Sequence, residues 1–280
     1  MLDPAHPGRY SASLIAGLAV LRCFTPELPQ RGLAEMADEL NLGRSTTHRY
    51  ASTLVALGLL EQTSMRRYQL SARASDAGMT LCESLLVWRV AREYVRALRT
   101  QTGYTAALAV FSAGEIVYLD CWRGVRQGQY AIDTGMGPGT HRPVYCTAAG
   151  KAILAGVPAD KQNELVARLK LRRHGPKTIK GKTALRKHLE DVAVVGRGIA
   201  LEDEELLAGR RALGAPVLDS DGAAVAAVEL VVPVGAVTRE ELVSALMSPI
   251  RKAASQITLA LLRETSQSAF AESPSSGEAA

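Results

Sequence analysis

Apolar residues recur at helical spacing three times before residue 60, and then a short alternating stretch replaces them. Leu14, Leu18 and Leu21 share one face of SASLIAGLAVLRCF, and Pro26 closes that helix. Leu33, Met36, Ala37 and Leu40 follow at i, i+3, i+4, i+7, which makes one apolar stripe on a short helix. The turn Asn41-Leu42-Gly43 suits left-handed backbone angles. A third helix is predicted from Ser45 to Leu57. Thr47, Tyr50, Leu54 and Leu57 lie on its inner face, Thr46, His48, Arg49 and Thr53 point elsewhere, and Gly58 is its stop. LLEQTSMRRYQL, residues 59–70, reads as two strands joined by a polar turn. Three helices and a hairpin in this order predict a winged helix-turn-helix over residues 1–75.

Helical spacing returns over 76–102, with Val87, Ala91, Tyr94 and Leu98 in register, and predicts a linker helix region. Strands dominate beyond Gly103: TAALAVFS, EIVYLDCW and QYAID, then a glycine-rich loop, TGMGPGTHRP, whose GMGPG is expected to turn tightly beside a pocket. CTAAGKAILAG reads as a helix, and a basic helical segment covers about 160–191. APVLD and AAVAAVELVV flank the turn Ser220-Asp221-Gly222 as a hairpin. A last helix is expected over 238–263, opened by the capping box Thr238–Glu241, and the small polar tail 266–280 is expected to be disordered. The second domain, 103–265, is thus predicted as α+β around one antiparallel sheet.

Composition narrows the class. Hydrophobic residues at 47% and charged residues at 22% fit a globular chain. No stretch is apolar for long enough to span a membrane, and the first ten residues carry no secretory core. Four scattered cysteines without a CxxC pair fit reduced thiols in the cytoplasm. The net charge of +5 permits nucleic-acid binding, but its placement misleads. Nine Lys or Arg and no acid lie between Arg168 and His188, whereas the first 75 residues hold eight basic and six acidic side chains. Within that region, however, 41–60 and 62–75 contain no acid. The second helix of a helix-turn-helix presents its N-terminal end to base edges. Here Arg44, Ser45, Thr46, His48 and Arg49 stand at that end, and Arg66 and Arg67 stand at the wing. Arginine can pair with phosphate or guanine, and the hydroxyls and imidazole can donate to either.

The motifs AGLAVLRCF, LAEMADELNLGRSTTHRYASTLVALGLLE, RRYQL, TAAGKAILAG, GIALEDEEL, GRRALGAPVLD and DGAAVAAVELVVP, in this order, resemble the IclR family of bacterial regulators over residues 11–263. The resemblance implies a GAF-like effector-binding domain, dimers or dimers of dimers, and binding to double-stranded operator DNA modulated by a small molecule, often an organic or aromatic acid. Carried over by motif, the effector pocket falls on Ala148, Ala149, Ala212, Glu229 and Val231. Some relatives place small hydroxyls on that last strand, where this chain has Glu229. A carboxylate there repels an anionic effector and is costly to desolvate. Either Glu229 pairs with an arginine at the pocket edge, such as Arg123 or Arg142, or the effector carries hydroxyls or positive charge. Strand alternation puts Ala227, Glu229 and Val231 on one face and the core residues Val228, Leu230 and Val232 on the other.

Other chemistry is not supported. GKA at Gly150 and GKT at Gly181 lack the spacing of a P-loop, and GMGPG lacks that of a dinucleotide fingerprint. Cys146 and His141 have no third orienting group. The histidines are too scattered for a metal site, and no cofactor is implied. The run 168–188 is expected to be a solvated face, with a subunit contact or phosphate contact as alternatives. The acids Glu202-Asp203-Glu204-Glu205 could pair with it. A ligand-modulated transcriptional regulator is the leading reading; a metabolite-binding protein or enzyme with an accessory DNA-binding head is the alternative.

Overall fold

The structure, a computed structural model, describes residues 10–25, 28–125, 135–194 and 197–271. The chain divides into two units, Met1–Ser84 and Leu85–Ala280. The division falls inside the stretch expected as a linker helix. Leu85 is extended (φ −81°, ψ 105°) and interrupts that helix, leaving α4 (Asp76–Ser84) with the first unit and α5 (Leu86–Thr102) with the second.

The first unit holds α1 (Ala12–Arg22), β1 (Gln30–Arg31), α2 (Leu33–Glu39), α3 (Arg44–Ala56), β2 (Leu60–Gln62) and β3 (Tyr68–Leu70). Ser11 caps α1 by accepting from the Leu14 amide at 3.3 Å. The core joins Val20, Cys23 and Phe24 to Met36, Ala51, Leu54, Leu60 and Tyr68. Two expectations shift here. Leu14 and Leu18 of α1 are exposed, because Val20 and the turn after the helix fill the interior instead. On α3 the buried face is Thr47, Ala51 and Leu54, so Tyr50 moves to the margin and Leu57, the C-cap, is 62% exposed. The wing sheet has order β1-β3-β2, with a third strand that was not evident from two residues of sequence.

The second unit is built on a six-stranded antiparallel sheet, order β6-β5-β4-β9-β8-β7. Its strands are β4 (Thr105–Ser112), β5 (Glu115–Trp122), β6 (His141–Pro143), β7 (Ala200–Asp203), β8 (Arg210–Leu218) and β9 (Ala224–Pro233). α6 (Ala148–Ala155) packs on β8 and β9 and also meets α8 (Lys182–Val194), while α7 (Ala159–Arg168) packs against α8. α5 and α10 (Met247–Ala271) pack together and onto the sheet. On α5 the buried residues Trp88, Ala91, Val95 and Leu98 repeat every three to four positions. Both faces of β9 are therefore covered, and the set Ala227, Glu229 and Val231 is as buried as Val228, Leu230 and Val232.

The basic segment is not one helix. α7 and α8 are separated by a non-helical stretch over 169–181. The capping box forms as expected, Thr238 accepting from the Glu241 amide at 3.1 Å and Glu241 from that of Thr238 at 2.8 Å. It opens the short helix α9 (Arg239–Glu241), and a π-helical turn at Leu242–Leu246 then leads into α10. α10 continues to Ala271, so 266–271 are helical rather than disordered; 272–280 and the expected strand QYAID lie outside the described residues. No helix among the described residues is long and apolar enough to cross a membrane.

Candidate functional site

In the first unit, α3 is positioned by the burial of Thr47, Ala51 and Leu54, which turns its N-terminal face outward. Arg44, Ser45, His48 and Arg49 are exposed there and Thr46 is half-buried. Thr47 is internal, its hydroxyl donating to the Gly43 carbonyl at 3.1 Å. The face carries no carboxylate, and the free amides of the first turn add a partial positive charge.

The wing turn is closed by the Thr63 amide donating to the Arg67 carbonyl at 2.8 Å and the Arg66 amide to the Thr63 carbonyl at 3.0 Å. Arg66 is exposed and adopts φ 56°. Arg67 behaves differently from a free wing-tip cation. Its guanidinium reaches back to the Glu35 carboxylate at 2.9 Å and the Gln30 carbonyl at 3.0 Å. Glu35 also accepts from the Gly32 amide at 3.1 Å; that bond and then Arg67 hold its carboxyl below the usual range. Arg67 thus ties the wing to the start of α2.

In the second unit, the residues expected to form the pocket converge at the N-terminus of α6. Thr147 caps this helix through the Gly150 amide at 3.2 Å. Gly214 of β8 lets it approach the sheet, since a methyl group there would overlap the Ala148 carbonyl. Glu229 lies in β9 between Ala107 of β4 and Gly214 of β8. The Ala149 amide bonds it, and Ala148, Ala149, Ala212 and Val231 belong to one buried core.

Glu229 itself is fully buried and ion-paired. Its Oε1 accepts the Ala149 amide at 3.1 Å; its Oε2 accepts the Tyr118 hydroxyl and the Arg210 Nη2 at 3.0 Å. The partner is therefore Arg210, in the interior, rather than Arg123 or Arg142 at an edge. Arg123 is exposed, its carbonyl accepting from Arg99, and Arg142 donates to the carbonyls of Gly135 and His141. Arg210 also bonds Glu202 through Nη1 at 2.5 Å, and Glu202 Oε1 takes the amides of Glu205 at 2.8 Å and Leu206 at 3.1 Å. Among the described residues the Arg210 Nε has no partner, and Met136 of the glycine loop lies 4.0 Å from its Nη2. That loop turns tightly, the Thr140 amide donating to the Gly137 carbonyl at 3.0 Å, and its Gly139 amide bonds the Tyr118 carbonyl at 2.8 Å.

Beside this group, the Lys151 ammonium is buried against Glu205 and donates to the Leu201 carbonyl at 2.6 Å, so the GKA motif serves the interior. Burial raises the carboxyl pKa values of Glu202 and Glu205 despite their cationic partners. It raises the Tyr118 hydroxyl well above its usual range, and Glu229 adds to that. Burial disfavours a charged Arg210, but Glu229 and Glu202 more than offset it. The network thus keeps Arg210 charged, and Tyr118 neutral as a donor. Cys146, pushed up to about 12 by burial, is no thiolate nucleophile. Among the described residues no group of His, Cys, Asp or Glu could hold a metal.

Sequence reasoning missed Arg210 and Tyr118; it named Glu202 only as a partner for the basic run and Lys151 only within the GKA motif, whereas Asp203 and Glu204 are the acids that meet that run, at Lys177. Arg210 had a signal: in GRRALG it stands two residues before Ala212, which puts it on the pocket face of the strand paired with Glu229. Tyr118 had none, since EIVYLDCW reads as ordinary core.

Two family models match: "Bacterial transcriptional regulator IclR C-terminal" over residues 79–259 and "IclR helix-turn-helix domain" over 13–64. Among curated relatives, the "Probable transcriptional regulator SauR" of Cupriavidus necator is 27% identical over 83% of this chain and 90% of its own length. The p-hydroxybenzoate hydroxylase transcriptional activator of Acinetobacter baylyi is 26% identical over 89% of this chain and 91% of its own. A solved IclR homologue from Microbacterium hydrocarbonoxydans, complexed with 4-hydroxybenzoate, shares the fold with a TM-score of 0.75 at 21% identity, covering 89% of this chain and 99% of its own.

Proposed function

The chain belongs to the IclR family of bacterial transcriptional regulators, and from that premise we propose how it reads DNA and senses its effector. It is a DNA-binding regulator and not an enzyme. The observation that carries the reading of DNA is the acid-free, outward face at the start of α3. Arg44, Ser45, Thr46, His48 and Arg49 enter the major groove, and Arg66 contacts the flanking backbone. Arg67 acts by holding the wing against α2. A homodimer, or a dimer of dimers, presents two such heads to a two-fold operator in the cytoplasm. Arg49→Ala should abolish the preference for an operator selected from random duplexes and leave weak non-specific binding. Unchanged preference, measured by fluorescence anisotropy, overturns the assignment.

The small-molecule effector binds at Ala148, Ala149, Ala212, Glu229 and Val231, and shifts the equilibrium between states that hold the DNA-binding heads differently. Glu229 already occupies the Ala149 amide and Arg210, so an anionic effector must displace it, whereas a hydroxylated ligand can add to it. A thermal-shift screen of small acids, amines and polyols with wild type and Glu229→Gln tests this. The Gln variant should gain binding of acids such as 4-hydroxybenzoate and lose binding of polyols. Identical profiles for the two proteins argue against Glu229 as a ligand contact. A ligand at 100 times its Kd adds about 2.7 kcal/mol of stability, well within reach of the assay.

A further inference from the structure

The chain's positive charge is not where its DNA-reading helix is. Met1–Ser84 holds eight basic and eight acidic side chains and is formally neutral, so the whole excess of +5 belongs to Leu85–Ala280. Within that unit the nine cations of 168–188 exceed the total excess, so the remainder is net acidic. Beyond the reach of individual contacts, the helix-turn-helix unit therefore offers duplex DNA little electrostatic attraction.

The basic stretch is a built feature. Between α7 and α8 the backbone is anchored from inside: the Arg172 amide donates to the Tyr145 hydroxyl at 2.8 Å, which donates to the Arg172 carbonyl at 3.0 Å. The Gly175 amide donates to the Glu205 carbonyl at 2.8 Å, and a Cβ at Gly175 would overlap the Glu204 carbonyl. The buried Thr178 hydroxyl bonds the carbonyls of Glu205 at 2.6 Å and Gly175 at 2.9 Å. Only part of the charge serves the fold. Lys177 pairs with Asp203 and Glu204, both at 2.9 Å, and Arg168 pairs with Glu164 at 2.6 Å. Lys170, Arg172, Arg173, Lys180 and Lys187 are exposed, and among the described residues they make no ion pair. An ordered backbone that displays unpaired cations fits a polyanion with regularly spaced charges. The polyanion this family of regulators engages is duplex DNA.

We propose that the 169–181 excursion of the sensory domain is a second, sequence-independent DNA contact, in which Lys170, Arg172, Arg173 and Lys180 grip the phosphate backbone of duplex DNA. This rests on the regulator reading above. It divides the labour: α3 supplies sequence preference, and the excursion supplies much of the counterion release that drives binding.

The test uses the full chain and a fluorescein-labelled duplex of random sequence, titrated between 50 and 200 mM salt, settings of about the range over which phosphate contacts dominate. Converting all four residues to Gln should flatten the plot of log affinity against log salt by about 0.9 for each phosphate that is no longer neutralised. Affinity at low salt should fall about tenfold or more, equally for random and operator-containing duplexes. The charge-preserving pair Arg172→Lys and Arg173→Lys should keep the wild-type slope, which separates charge from any disturbance of the fold. A slope within about 0.5 of wild type, less than one phosphate's worth, overturns the proposal. So does an unchanged slope with altered sedimentation, which would make the excursion a subunit contact. If the wild-type chain binds no duplex at low salt, the regulator reading falls as well; if it binds and only the slope test fails, this inference alone falls.

Discussion

Replacing Arg210 with methionine isolates the electrostatic term at the centre of the sensory domain. The guanidinium sits between two fully buried carboxylates, 2.5 Å from Glu202 and 3.0 Å from Glu229. Methionine fills much of the same volume but leaves both carboxylates without a cation. Removing one partner of a buried ion pair costs about 3–5 kcal/mol, and here the Ala149, Glu205 and Leu206 amides and Tyr118 keep the loss from doubling. Trp88 and Trp122 are the chain's two tryptophans, and both lie in the second unit, so urea denaturation followed by their fluorescence reports that unit alone. With a urea slope of about 2 kcal/mol/M, the midpoint should fall by about 1.5–2.5 M. The sign of the pH dependence follows from the same charges. An unpaired buried carboxylate has its folded pKa raised above the unfolded value, so the folded variant takes up protons first, and its deficit should shrink as pH falls from 8 towards 5. A deficit under about 1 kcal/mol, or one that does not change with pH, would refute the idea that Arg210 stabilises these carboxylates.

Gly214→Ala should destabilise the second unit by about 1–3 kcal/mol, because its methyl group must push the α6 N-terminus off the sheet; the tryptophan-monitored melt checks this, and a neutral result would mean the approach is not tight. His188 has its pKa lowered to about 4 by burial and by Lys151. The unfolded chain therefore takes up that proton first as pH falls below about 6.5, and stability should decline between there and about 4. His188→Gln should flatten this acid limb, and an unchanged limb in urea titrations at stepped pH would exclude His188 as its source.

The helix-turn-helix was legible in the sequence because its evidence is local. Period, turn chemistry and the absence of acids over 41–60 all lie within a few residues of one another. Errors arose where the partner decides the face: Leu14, Leu18 and Leu57 have the right spacing for core, yet Val20 and Ala51 take the interior. β1 was invisible because two residues carry no period, and its existence depends on pairing with β3. The buried charge network around Glu229 was legible only in outline. That Glu229 needs a cation follows from desolvation, but the choice of Arg210 over Arg123 or Arg142 depends on the register of β8 against β9 and on the depth of each strand in the sheet. Arg67 shows a contact with no local signal: Glu35, 32 residues away in sequence, pairs with the guanidinium of a residue read only as a wing cation.

The mutual dependence of Glu202, Arg210 and Glu229 also bears on how this regulator could acquire a new signal. In a pocket lined by neutral side chains, single substitutions can be sampled one at a time, each nearly silent for folding. Here the order of steps matters: losing Arg210 first strands two buried carboxylates, whereas losing Glu229 or Glu202 first leaves Arg210 paired with the other. Drift at this site is expected to begin at one of the carboxylates and to reach Arg210 only afterwards. Redesign of the sensor for a chosen metabolite should follow the same order, neutralising a carboxylate before Arg210 is replaced.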